Sequence, residues 1–80
     1  MLFETEKDKL VVGLKQSAKA IASGLAKYVY LAENADPFIT EGLEKSAAEK
    51  GAQIIYVDTM KELGTMCGIS VGASCAIVLK

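Results

Sequence analysis

Lys27-Tyr28-Val29-Tyr30-Leu31-Ala32 runs directly into Glu33-Asn34-Ala35-Asp36-Pro37, and this junction decides the fold. The first stretch is apolar along most of its length, without strict alternation, so it reads as a strand covered on both faces. The second is a loop that opens a helix. Asp36 is a good N-cap, and Pro37 suits the first helical position, where its missing N–H costs nothing. The helix runs to about Lys50, with Ile39, Leu43 and Ala47 at i, i+4 and i+8 on its inner face, and Gly51 ends it.

Outward from this unit the pattern repeats. Toward the C-terminus, Gln53-Ile54-Ile55-Tyr56-Val57 reads as a second buried strand. Thr59-Met60-Lys61-Glu62 has capping-box spacing and starts a helix with Met60, Leu63 and Cys67 as its inner stripe. Gly68 ends that helix, and Ala73–Leu79 forms a third strong strand. Toward the N-terminus, residues 15–23 form a helix that places Ala18, Ile21, Ala22 and Leu25 on one face, and Gly24 stops it. Before it, Leu10-Val11-Val12 is a short buried strand closed by Gly13, and residues 3–10 suit a short amphipathic helix. Alternating strands and helices give an α/β fold: one domain over residues 1–80, with a largely parallel or mixed sheet covered by helices on both faces.

Composition narrows the function. A net charge of −1 gives no global attraction to nucleic acid or to an anionic membrane. All nine basic residues are lysines, so bidentate arginine contacts to phosphate or guanine are excluded. Histidine is absent, which removes the commonest general base and metal ligand. No phosphate-binding glycine loop occurs, and the serines have no histidine to activate them, so no enzymatic role is expected. Cys67 and Cys75 match no zinc spacing and read as buried free thiols, and no metal or cofactor is expected. The charged N-terminus does not suit a signal peptide, and no apolar run approaches the ~20 residues of a membrane span. The expectation is a cytoplasmic monomer without membrane contact.

Two stretches carry chemistry. In Gly13-Leu14-Lys15-Gln16-Ser17-Ala18-Lys19, a helix begins directly after a glycine, with Lys15, Gln16, Lys19 and Ser23 on one polar face. A helix N-terminus offers free N–H groups and a positive dipole end, and these side chains add donors on the same surface. The Gln16 amide both donates and accepts, as base edges require, while lysines hold phosphates. Between Gly13 and Tyr28 there are three lysines and no acid. The second stretch, Gly68-Ile69-Ser70-Val71-Gly72, sets two β-branched apolar residues between glycines where loops usually carry polar ones. Read by spacing alone, the first is better explained as a solvated helix face, and the second is equally an edge of the core.

Together with Ala35-Asp36-Pro37 and the block from Met60 to Ala73, these stretches resemble the kink-turn RNA-binding ribosomal protein family, the L7Ae type of the L30e-like superfamily, and most closely its small stand-alone bacterial branch. The resemblance spans Val11 to Leu79. It implies a three-layer α/β/α sandwich with a mixed four-stranded sheet. It also implies binding to a kink-turn, an internal RNA loop bent sharply beside tandem sheared G·A pairs, with the ribosome as one candidate assembly. By position, Gly13 and Leu14 would approach the RNA backbone, Lys15 and Gln16 the guanines, and Lys19 a base edge or phosphate. Ile69, Ser70 and Val71 would cover the kinked-out bases. The archaeal and eukaryotic pattern has Asn-Glu where this chain has Lys15-Gln16, so acceptance from guanine loses its charge assistance here. Other readings are a protein-interaction or ribosome-assembly module using the apolar 68–72 loop, and a small ligand-binding or redox domain using Cys67 and Cys75.

Overall fold

The computed structural model describes residues 9–80; the helix expected over residues 3–10 lies outside them up to residue 8, and Leu10 opens the first strand. The chain order is β1 (Leu10–Val12), α1 (Leu14–Ala22), β2 (Ala26–Ala32), α2 (Pro37–Glu49), β3 (Gln53–Val57), α3 (Met60–Met66) and β4 (Cys75–Leu79). The strands form one mixed sheet in the order β1-β4-β2-β3. β4 is antiparallel to both β1 and β2, and β3 is parallel to β2.

Central β2 and β4 are covered on both faces, as the unbroken apolar run of β2 implies. Val29 and Leu31 of β2, with Cys75 and Ile77 of β4, meet Ile21 of α1 and Leu43 and Ala47 of α2. Tyr30 and Ala32, with Ala76 and Val78, meet Leu63 and Cys67 on the α3 side. Ile21, Leu31, Leu63 and Ile77 are fully buried, each contributing about 1.5–3 kcal/mol relative to exposure. The result is the three-layer α/β/α sandwich with a four-stranded mixed sheet.

Four local expectations are corrected. β3 is not a buried strand: it lies at the sheet edge, with Gln53 and Tyr56 exposed and Val57 alone of its five residues buried. Leu25 does not face the core and is 53% exposed, because the helix ends at Ala22 and Gly24 turns at φ +74° before the strand begins. The inner face of α1 is set instead by fully buried Ser17 and Ile21, with Ala22 exposed. Met60 lies on the surface rather than on the inner stripe of α3, which is carried by Leu63, Gly64 and Cys67.

The cysteines are free and buried, and they pack on opposite faces of the sheet. Burial, reinforced by Cys75, pushes the Cys67 thiol above its usual pKa. A thiol held protonated lacks the thiolate that redox chemistry needs.

Candidate functional site

Strand direction organises one end of the molecule. β1, β2 and β3 all run the same way, and each leads into a helix. The N-termini of α1, α2 and α3 therefore emerge at one rim of the sheet, the rim at which β4 begins. The segment between Gly68 and Ser74 must return to that rim to enter β4. Gly13 and the apolar loop are thus brought together by topology.

Hydrogen bonds fix this rim. The Gly13 N–H donates to the Cys75 carbonyl (3.3 Å), joining the start of α1 to the end of the loop segment. The Ala32 N–H donates to the Ser74 carbonyl (3.0 Å), and the Ala73 N–H donates to the Met60 carbonyl (2.9 Å). Met60 is held in turn by Asn34, whose Oδ1 accepts from the Met60 N–H (2.7 Å). The loop after β2, the start of α3 and the apolar loop therefore form one connected frame.

The three helix starts are treated differently. Asp36 Oδ1 accepts from the Phe38 N–H (3.0 Å), capping α2. Thr59 Oγ1 accepts from the Glu62 N–H (3.0 Å), which with Asn34 caps α3. α1 has Gly13 at its N-cap, no side-chain cap and no acid in its first turn. Its first N–H groups lack intrahelical acceptors, as in any helix, and no side chain among the described residues caps them. Gly13 has φ +109°, a conformation a side chain disfavours, so a capping serine or aspartate is poorly accommodated there.

Leu14, Lys15, Gln16 and Lys19 are all exposed. Gln16, Lys19 and Ser23 line a common cleft of about 270 Å³ with Val11, Leu25 and Leu79. The Ser23 hydroxyl is turned back onto the Lys19 carbonyl (2.9 Å), which leaves Gln16 and Lys19 as the polar groups facing outward. Across the rim, Val71 is 68% and Ile69 37% exposed, and Ser70 is exposed with them. Every site residue expected from the sequence thus lies at the surface of this rim or along the adjoining flank of α1, apart from Gly13, which is half-buried beneath it.

Three contributors escape a sequence reading. Asn34 sits in a loop whose composition does not reveal a partner 26 residues away. Gly64 is buried inside α3, and the Val71 carbonyl occupies the place where a side chain would begin. A glycine within a helix is the available signal, since it weakens the helix unless something must come close. Ser17 is the third: its Oγ is buried and has no hydrogen-bond partner among the described residues.

The family model for ribosomal proteins L7Ae/L30e/S12e/Gadd45 matches residues 3–80 of this chain. An RNA-binding protein of Caldanaerobacter subterraneus subsp. tengcongensis is 47% identical over 68 residues, covering 85% of this chain and 83% of its own length. The large ribosomal subunit protein eL8 of Halobacterium salinarum is 40% identical over 68 residues, covering 84% of this chain but 57% of its own. Among solved structures, the 15.5kD RNA binding protein of Giardia lamblia superposes with a TM-score of 0.84 at 27% identity, covering 91% of this chain and 62% of that one.

Proposed function

We propose that this chain, which belongs to the ribosomal protein L7Ae/L30e/S12e/Gadd45 family, binds RNA without catalysis and recognises the kink-turn. The observation that carries the proposal is the uncapped start of α1 beside the apolar loop. Among the described residues, the starts of α2 and α3 each have a side chain satisfying a first-turn N–H group, and the start of α1 has none.

The chemistry follows from this arrangement. The free N–H groups and dipole end of α1 favour electronegative RNA atoms. Gln16 supplies a donor and an acceptor to the edges of the sheared G·A pairs, and Lys15 and Lys19 neutralise phosphate or reach a guanine edge. Gly13 keeps the backbone of this turn low enough for the RNA to approach. Ile69 and Val71 cover the face of an extruded base, while the backbone around Ser70 offers polar contacts. The protein acts by binding the kinked conformer better than the extended one, so it shifts the RNA toward the bend.

Charge is distributed to suit this role despite the net value of −1. Residues 9–32 contain Lys9, Lys15, Lys19 and Lys27 and no acid. Competition binding tests the reading. A kink-turn duplex is expected to bind more tightly than the same duplex with its G·A pairs replaced. Equal affinity for the two would remove kink-turn recognition.

A further inference from the structure

The edge of the sheet opposite β1 is unusual for its exposure. β1 is three residues long and preceded by Lys9, a length and charge that discourage pairing. β3 is five residues long, Gln53-Ile54-Ile55-Tyr56-Val57, and among the described residues it pairs with β2 alone. It has no proline, lysine or glycine, and its parallel register with β2 continues from Gln53 to Val57 without a bulge. Such a strand leaves a row of backbone donors and acceptors available for pairing, and proteins normally blunt this with a charge in the strand or a break in its register.

Here the charge lies around the strand instead of within it, and it is predominantly negative. The Tyr56 phenol is raised above its ordinary pKa by partial burial, by its hydrogen bond to Glu44, and by the charges of Glu44 and Glu33. On the α3 side, Asp58 and Glu62 rim a cleft of about 240 Å³ whose apolar lining includes Ile55, Val57 and Met66. Between Glu33 and Glu62 the sequence has seven carboxylates against three lysines, the reverse of the lysine-only segment at residues 9–32.

We infer that the β3 edge and its flanking cleft form a second binding site, which takes an extended, lysine- or arginine-rich segment of a partner protein as an added strand. Main-chain pairing supplies the affinity of such a contact, and pockets for alternate side chains supply its selectivity. The carboxylates choose the occupant. A second copy of this chain would bring Glu33, Glu44, Asp58 and Glu62 against their own likenesses, which disfavours self-pairing. A cationic strand meets complementary charge on both flanks of β3, and its apolar alternate residues fit the cleft beside Ile55 and Met66. The site is independent of the RNA-binding reading and lies on a different edge of the molecule.

Amide NMR with hydrogen exchange tests it, using a seven-residue peptide of alternating lysine and valine as the probe. Binding should shift and protect the amides of Gln53–Val57. A peptide of alternating glutamate and valine should not bind, nor should the lysine peptide with a central proline. Asp58→Asn combined with Glu62→Gln should weaken the lysine peptide by about tenfold, a difference of about 1.4 kcal/mol, with the amide spectrum otherwise retained. The inference is overturned if the β3 amides do not respond. It is equally overturned if the glutamate peptide binds as well, if the proline peptide binds as well, or if the double variant leaves affinity unchanged. Concentration-dependent dimerisation that protects the same amides would also overturn it, because a second copy would then be the occupant.

Discussion

The carbonyl of Val71 fills the space beside the α-carbon of Gly64, so the apolar loop rests on α3 at a point where no side chain fits. The neighbouring Gly72 approaches Met60 in the same way: a Cβ at position 72 would lie 3.2–3.4 Å from the Met60 side chain and backbone. The loop that presents Ile69 and Val71 is therefore held by backbone against backbone, with the Ala73–Met60 hydrogen bond closing it.

Gly64→Ala should accordingly displace the loop. The obstructing atom is main chain and cannot rotate away, so we expect a loss of about 2–4 kcal/mol in urea unfolding, together with weakened RNA binding. Gly42→Ala is the internal control. It sits in α2 with open space around it, and it should stabilise by about 0.5–1 kcal/mol through helix propensity. Equal effects at the two positions would show that loop support does not depend on Gly64.

Ser17→Ala should stabilise the protein. Ser17 is fully buried in α1, and its Oγ has no hydrogen-bond partner among the described residues. An unsatisfied buried hydroxyl costs about 1–3 kcal/mol, and alanine is the better helix former. We expect a gain of about 1 kcal/mol in chemical denaturation, with RNA affinity unchanged because the side chain faces inward. A destabilised variant would mean that the hydroxyl is satisfied in solution.

Lys15→Ala and Lys19→Ala should each weaken kink-turn binding by about 1–3 kcal/mol if they make specific contacts. Both side chains are exposed on α1, so thermal stability should barely change. If these two lysines make the phosphate contacts, log affinity against log salt should have a slope of about −2, flattening by about one in each variant. Losses below a few tenths of a kcal/mol would place the RNA elsewhere.

Cys67 predicts an alkaline limit. Its thiol is raised from 9.0 by burial and then by Cys75, so the folded state holds this proton more tightly than the unfolded chain does. The associated stability is complete below about pH 9 and is lost as pH rises through the folded value. Cys67→Ala should therefore flatten the decline in stability above pH 9, as read from unfolding midpoints at stepped pH. In the native protein near neutral pH, thiol reagents should label both cysteines only as fast as it opens. Rapid labelling of folded protein would contradict this.

Much of this architecture is legible in the residues because it rests on local rules. The doubly covered β2, the Asp36 and Thr59 caps and the glycine stops at Gly24, Gly51 and Gly68 each follow from neighbours in sequence. Strand order does not. Ile54-Ile55 gives β3 the look of a buried strand, and only long-range pairing reveals it as an edge. Leu25 reads as inward only while helical periodicity is carried past the point where Gly24 breaks it. At the rim, exposure of Lys15, Gln16 and Lys19 is readable from the polar stripe. The supports from Asn34 and Gly64 are not, since each acts across a tertiary contact.

The central claim is that the uncapped start of α1 and the apolar loop together capture a bent RNA. Fluorescence energy transfer between dyes on the two arms of a kink-turn duplex measures this most directly, at a magnesium concentration low enough to leave the free RNA extended. Adding the protein should raise transfer to that of the kinked form, and replacing the G·A pairs should abolish the response. Lys15→Ala and a Val71→Asp variant should each move the midpoint to higher protein concentration. Binding without any rise in transfer, or an equal rise with the G·A pairs replaced, would contradict the account.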